Sequence, residues 1–162
     1  DLAIRLAQTL PDRVVARKLM DIPYLACAAP GYLDGRPPLQ SPRDFAAHNC
    51  LYFAYGGFGD TWVFDSPSGR ESVQVAGNFT VNSSDVIRDA LLAGLGIGVL
   101  PSFAVEAELR DGRLRQILPE WRPQGAFGAA AYAVWLPDRH LPPKLRVFVD
   151  FLLQRWAETS GV

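Results

Sequence analysis

Short apolar runs broken by proline and glycine make up most of this chain, and a few longer stretches repeat at helical spacing. Leu2 to Leu6 is predicted as a strand, and Ala7 to Asp12 as a polar connection containing Pro11. Val14 to Met20 and Tyr24 to Ala29 are two further strands, separated by Asp21-Ile22-Pro23. The run Tyr24-Leu25-Ala26-Cys27-Ala28-Ala29 is apolar throughout, as expected of a strand covered on both faces. Pro30-Gly31 breaks it, and Tyr32 to Pro42 is aperiodic and rich in Pro and Gly, so it reads as a loop. Ser41-Pro42-Arg43-Asp44-Phe45 opens a short helix, with Ser41 as cap and Pro42 at the first helical position. Cys50 to Tyr55 is the next strand, Gly56 to Asp60 a flexible loop, and Trp62-Val63-Phe64 a short strand. Asp65 to Arg70 carries hairpin-turn residues, and Ser72 to Val81 alternates imperfectly.

The stretch from Asn82 to Pro101 organises the rest. Asn82, Ser83 and Ser84 offer side-chain oxygens to the free N–H groups of a helix start. Asp85 places negative charge in the first turn, where the helix dipole favours it. Val86, Ile87, Ala90 and Leu91 form one apolar face at three- and four-residue spacing. Gly94 and Gly96 can take the left-handed conformation that ends a helix. Ile97 to Leu100 is a short buried strand, stopped by Pro101, which has no N–H for a ladder bond. A helix start with free N–H groups and three small polar side chains suits an anion. The same residues also serve as ordinary caps, so both readings stand.

Beyond Pro101, Ser102 caps a predicted helix over Phe103 to Leu109 that closes at Asp111-Gly112. Leu114 to Leu118 is a short edge strand, Pro119 to Gly128 a loop, and Ala129 to Leu136 a second strongly buried strand. A last helix runs from about Pro143 to Trp156, with Leu145, Phe148, Val149, Leu152 and Trp156 on one stripe, as in a surface helix docked on a sheet. Strands and helices alternate, so the class is α/β. The two most apolar strands, Tyr24 to Ala29 and Ala129 to Leu136, bracket the middle of the chain. That is the pattern of a two-lobe binding fold with a double crossover, whose ligand sits near helix N-termini.

Composition narrows the function. The chain has 162 residues, 49% hydrophobic and 20% charged, which is ordinary for a soluble globular protein. A net charge of −1 gives no reason to expect nucleic-acid binding by this chain itself. No run of about 18 apolar residues occurs, so no transmembrane helix and no membrane partner are expected. The N-terminus does not read as a signal peptide. A strand that begins at the first residue suggests a fragment with its upstream part removed. Cys27 and Cys50 are too few for a disulfide scaffold; buried free thiols and a reducing cytoplasm fit best.

Chemistry-bearing motifs are sparse. Gly94-x-Gly96-x-Gly98 follows a helix and opens a strand, the reverse of a dinucleotide loop. His48 and His140 stand in no metal-ligand spacing, and no CxxC pair joins them. No GxSxG elbow is present. Asp85 and Asp89 share a helix face, but Arg88 beside them favours a solvated face over acid–base chemistry. Neither a cofactor nor a catalytic step is expected, so the chain is expected not to be an enzyme.

The order of several segments carries a resemblance. Asp1-Leu2-Ala3-Ile4-Arg5, then Val15-Ala16-Arg17-Lys18-Leu19, then Cys27-Ala28-Ala29-Pro30-Gly31-Tyr32-Leu33 resemble the effector-binding domain of LysR-type transcriptional regulators. So do Pro42-x-Asp44-Phe45-x-x-His48-x-Cys50-Leu51, Trp62-x-Phe64, the Asn82 to Pro101 stretch, and Leu141-Pro142-Pro143-Lys144-Leu145-Arg146-x-Phe148-x-Asp150-Phe151-Leu152. The resemblance implies a two-lobe, type II periplasmic-binding-protein-like α/β fold with two crossover strands. Lobe I would hold residues 1–31 and receive the chain again at 132–162 with the C-terminal helix; lobe II would hold 32–131. The first part of lobe I, the winged helix-turn-helix and the linker helix would lie outside this chain.

The resemblance further implies a small effector, anionic or aromatic, bound between the lobes. Binding would alter how a dimer or tetramer sits on promoter DNA, through the absent N-terminal domain. The residues it nominates for the effector are Leu6 and Ala7 after the first strand, Tyr55, then Asn82, Ser83 and Ser84, and finally Leu136 and Pro137 where the second crossover returns. Arg5 could pair with an acidic effector, and Tyr55, Phe58 and Trp62 would suit an aromatic one. The alternative is a transport-type solute-binding protein of the same fold.

Overall fold

The computed structural model describes residues 2–7, 9–53, 59–124, 126, 130–137 and 142–159. In chain order the strands are β1 (Leu2–Ala7), β2 (Val15–Asp21), β3 (Tyr24–Ala28), β4 (Cys50–Phe53), β5 (Thr61–Ser66), β6 (Gly69–Gln74), β7 (Thr80–Val81), β8 (Ile97–Pro101), β9 (Arg115–Gln116), β10 (Arg122–Pro123) and β11 (Ala130–Trp135). The helices are α1 (Pro30–Leu33), α2 (Ser84–Leu92), α3 (Glu106–Arg110) and α4 (Pro143–Thr159). Pro42–Ala47 and Ser102–Ala104 are short 3-10 helices. The chain divides into two compact units, one made of Asp1–Ile22 with Ala129–Val162 and the other of Pro23–Gly128.

The first unit is an antiparallel sheet in the order β1-β11-β2. Its central strand is alanine-rich, and Ala130, Ala131, Ala133 and Val134 are buried. A register shift at Ala131/Tyr132 marks a bulge against β2. Helix α4 packs against β2, burying Val149, and its Asp150 pairs with Arg17 at 3.7 Å. Phe148, expected on the buried stripe of this helix, is instead 46% exposed.

The second unit holds a five-stranded mixed sheet, β7-β4-β8-β3-β9, and an antiparallel three-stranded sheet, β10-β5-β6. Strand β8 lies at the centre of the larger sheet, parallel to β4 and antiparallel to β3, and all five of its residues are buried. An aromatic cluster fills the interior: the Phe45 ring lies 5.7 Å from Trp62 at 74° and 5.4 Å from Phe64. Each such ring contributes about 1.5–3 kcal/mol by burial, and edge-to-face pairs add about 0.5–1.5 kcal/mol. Ahead of Phe45, the Asp44 carboxylate accepts the N–H groups of Gln40 and Ser41, which anchors the start of that turn and holds its pKa below the usual value.

The structure departs from the sequence expectations at several places. The units divide at 22/23 and 128/129, whereas the sequence-based division places the boundaries at 31/32 and 131/132. Strand β3 accounts for the first difference, because it is bonded between β8 and β9 inside the second unit. Pro30 does not simply break a strand; it opens the one-turn helix α1 from its first position. The helix expected over Phe103 to Leu109 is split, with Val105 at φ −130° between its 3-10 turn and α3. The loop expected over Pro119 to Gly128 contributes β10 to the edge of β5. Val86, assigned to the apolar face of α2, is 44% exposed, while Ile87 and Leu91 are fully buried. Gly94 has the expected positive φ of 74°. Gly96 serves a different need: a Cβ there would stand 2.2 Å from the backbone oxygen of Asn49.

Candidate functional site

Helix α2 lies against β8 because Gly98 leaves room for it. A Cβ on Gly98 would meet Ile87 at 3.1 Å and Leu91 at 3.2 Å. Its N-terminal turn is open. Ser83 is the N-cap residue in extended conformation (φ −131°, ψ 126°), yet its side chain makes no capping hydrogen bond. The capping role predicted for these oxygens is therefore not the one adopted by Ser83. Ser83 and Ser84 are half-buried and Asn82 is exposed. The first intrahelical bond in this turn runs from the Ile87 N–H to the Ser83 carbonyl. The N–H groups ahead of it have no intrahelical acceptor, as at any helix start.

The charge beside this turn is tied up. Arg88 donates to Asp85 at 2.9 Å and to Asp89 at 3.1 and 3.2 Å. The hydrogen bond to Asp89, with the field of both carboxylates, holds the Arg88 guanidinium above its ordinary pKa. Asp85 therefore faces the turn as half of an ion pair, which lowers its repulsion of an incoming anion.

The first-unit candidates fall at two ends of one sheet. Leu6 pairs with Ala131 and Ala7 with Ala130, at the end of β11 where the chain enters this unit. Trp135 pairs with Leu2, so Leu136 and Pro137 continue from the opposite end. At roughly 3.3 Å per residue the two ends lie about 16 Å apart along the strand. Leu136 and Pro137 thus follow the end of β11 that lies opposite Leu6 and Ala7. Leu136 is 73% exposed and shares an open depression of about 280 Å³ with Arg5, Leu2, Val134 and Trp135. Tyr55, the glycine loop at 56–58 with Phe58, and His140 lie outside the described residues. Trp62 is fully buried in the aromatic cluster, so it packs rather than lines a surface.

Sequence reasoning passed over a polar junction formed by Tyr32, His48 and Asn49. The Asn49 N–H donates to the Tyr32 hydroxyl at 3.1 Å, and that hydroxyl lies 3.3 Å from His48 Nδ1. Burial first, then the Arg36 charge, lowers the His48 pKa, against a smaller opposing pull from Asp44. With the Tyr32 oxygen accepting from Asn49, neutral His48 is the natural acceptor for its proton. Nothing in the spacing of these residues announces the junction, because it forms between segments distant in sequence.

Both cysteines are buried, and burial pushes each thiol up to about 12. Among the described residues no group of three or more His, Cys, Asp or Glu is placed to hold a metal ion. No described helix is long and apolar enough to cross a membrane.

This geometry belongs to a class: two compact α/β units, with an uncapped helix start over a central buried strand. The sequence matches the family described as the LysR substrate binding domain over residues 1–157, and the chain belongs to that family. It is 36% identical over 155 residues to the HTH-type transcriptional regulator PtxR of Pseudomonas aeruginosa, covering 94% of this chain and 48% of the relative. It is 32% identical over 152 residues to the probable HTH-type transcriptional regulator LtrA of Klebsiella pneumoniae, covering 94% of this chain and 49% of the relative. The solved regulatory domain of CrgA, a LysR-type regulator from Neisseria meningitidis, superposes with a TM-score of 0.75 at 29% identity, covering 96% of this chain and 74% of that one. The chain spans about half the length of the curated relatives it matches. Its fold is that of LysR regulatory domains, the type II periplasmic-binding-protein-like fold. The relatives are transcriptional regulators rather than enzymes, and the transport-type alternative gains nothing from them.

Proposed function

We propose that this chain is the sensing part of a cytoplasmic LysR-type transcription factor, and that a small molecule with an anionic or polar head binds at the N-terminal turn of α2. The supporting observation is the uncapped helix start: Ser83 leaves the first N–H groups free of a side-chain bond. Asn82, Ser83 and Ser84 would then supply side-chain hydrogen bonds to the head group, with the helix dipole favouring its charge. Leu6 and Ala7 remain candidates for apolar contact, and Tyr55 for an aromatic one. Leu136 and Pro137 stand apart from this assignment.

Signalling follows from differential affinity. An effector shifts a regulator between conformations only as far as it binds one of them better. The output would pass to promoter DNA through a helix-turn-helix segment of the longer protein, acting as a dimer or tetramer.

A thermal-shift screen of aromatic acids, amino acids and dicarboxylates against the full-length regulator tests this. A compound present at about 100 times its Kd adds about 2.7 kcal/mol of stability. The expected result is a carboxylate that raises Tm by several degrees in the parent and much less in Ser83→Ala. A broad library without a hit, or a hit that Ser83→Ala and Ser84→Ala leave unchanged, would overturn the assignment.

A further inference from the structure

Position 49 falls between two residues of the family pattern, His48 and Cys50, and the pattern itself leaves it open. The asparagine there uses every hydrogen-bonding group it has. Its side-chain amide donates to Asn78 Oδ1 at 2.9 Å and to the Leu95 carbonyl at 2.6 Å. Its side-chain oxygen accepts the Asn78 N–H at 3.0 Å. Its backbone N–H reaches Tyr32, and its carbonyl accepts the Ile97 N–H at 2.9 Å.

These partners have a common meaning. Asn78 lies just before β7, which leads directly into Asn82, Ser83 and Ser84. Leu95 lies in the turn just after α2 and before β8. One side chain therefore grips the chain entering the helix and the chain leaving it. Close packing supports the same view. A Cβ on Gly77 would stand 1.9 Å from the Cys50 carbonyl oxygen, and one on Gly96 would stand 2.2 Å from that of Asn49. Both flanking segments approach the start of β4 more closely than a side chain allows.

We propose that Asn49 is the positioning residue of the α2 site: its carboxamide ties both flanks of the helix and so fixes the first turn in place. The proposal takes its functional meaning from the effector assignment above. The chemistry is selective for asparagine. Aspartate keeps the acceptor for the Asn78 N–H but has no donor for Leu95, and an alanine keeps neither.

Amide hydrogen exchange on the full-length protein tests the clamp without any ligand. In Asn49→Ala, exchange is expected to rise about tenfold or more over 79–81, 84–87 and 95–97, the order expected from losing one or two net hydrogen bonds. The β5–β6 hairpin should change by less than about threefold. Asn49→Asp should release 95–97 while 79–81 stay partly protected. Exchange that rises evenly across Pro23–Gly128, or a first turn of α2 that does not change, would overturn the proposal. Should Asn49→Ala fail to fold, Asn78→Ala at an exposed residue removes one of the two entering bonds, that to Asn78 Oδ1, and keeps the bond from the Asn78 backbone N–H; it should partly release 79–81 and 84–87 but not 95–97, and the reverse pattern would count against the clamp.

A second readout separates positioning from stability. Inorganic sulfate is titrated while the amides of residues 84–86 are followed by NMR. Its affinity should fall about fivefold or more in Asn49→Ala, yet hold in Val73→Ala, which loses a buried side chain from β6. Equal weakening in both variants would overturn a positioning role. No sulfate binding to the parent protein would count against the effector assignment instead, leaving the clamp to be judged by exchange alone.

Discussion

In the Pro23–Gly128 unit Phe45, Trp62 and Phe64 are fully buried, although Phe103 is 59% exposed. In the unit formed by Asp1–Ile22 and Ala129–Val162, Ile4, Leu6, Phe148 and Phe151 remain 46–53% exposed. Both units use strands of β-branched, aromatic and alanine residues, so the contrast comes from which residues sit at the centre of each sheet and from what covers them. The larger sheet of the second unit has helix α2 laid close against its central strand over Gly98. The first unit has an alanine-rich central strand between two others and one helix packed near β2. Alanines bring strands and helices close but remove little apolar area from water, and burial scales with that area. The second unit therefore buries the larger aromatic cluster, and it also holds the N-terminal turn of α2 proposed above as the effector site.

The largest expected effect probes that contrast directly. Trp62→Ala should cost about 3–5 kcal/mol in urea denaturation followed by circular dichroism, because it empties a fully buried site. Phe151→Ala, already half in water, should cost less than about 1 kcal/mol. Equal losses would mean that the two units are packed alike in solution.

Gly96→Ala comes next. Its Cβ would collide with the Asn49 backbone oxygen, which cannot rotate away as a side-chain tip could. A loss of about 1–3 kcal/mol is expected, typical of overpacking. Gly112→Ala is a useful contrast, since it meets no atom within 4 Å and pays only for its positive φ of 72°.

A smaller effect concerns pH. The folded His48 pKa is depressed, by burial first and Arg36 second. An unfolded histidine titrates near pKa 6.5. Below about pH 6.5 the unfolded chain therefore binds a proton that the folded second unit resists. Stability should fall as pH drops through that window and level off below the lowered folded value. His48→Gln should flatten this part of a Tm-against-pH curve, while the slope from carboxylates at lower pH should persist.

The smallest effect belongs to the first unit. The Arg17–Asp150 pair is long at 3.7 Å, with both side chains more than half exposed. Arg17→Ala should change stability by less than about 1 kcal/mol. A larger loss in a denaturation curve would show that α4 depends on that pair rather than on Val149.

Much of the fold could be read in the chain. The runs at Leu2, Val15, Tyr24, Cys50 and Ala130 became strands within a residue or two of expectation. Gly94 ended α2 with the left-handed conformation its position implied. Ordered short motifs led to the LysR family over nearly the whole chain. The site was less legible. Asn82, Ser83 and Ser84 announced a helix start, but residue type alone could not say that the Ser83 side chain would leave the cap unmade. Val86 fits a helical apolar period and is nonetheless largely exposed, because the period does not say how wide the buried stripe will be. Asn49 had no local signal at all.

What the sequence determined by itself is local. Side-chain alternation selects strands and helices, and proline and glycine punctuate them, because these preferences act between near neighbours. The tertiary structure alone decided which strand lies at the centre of each sheet, where one unit ends and the other begins, and that Leu6 and Leu136 stand at opposite ends of one sheet. It also decided that one asparagine would meet Asn78 and Leu95, residues 29 and 46 positions away. Such contacts depend on strand register and on how closely backbones approach, and both are set only when the whole unit packs.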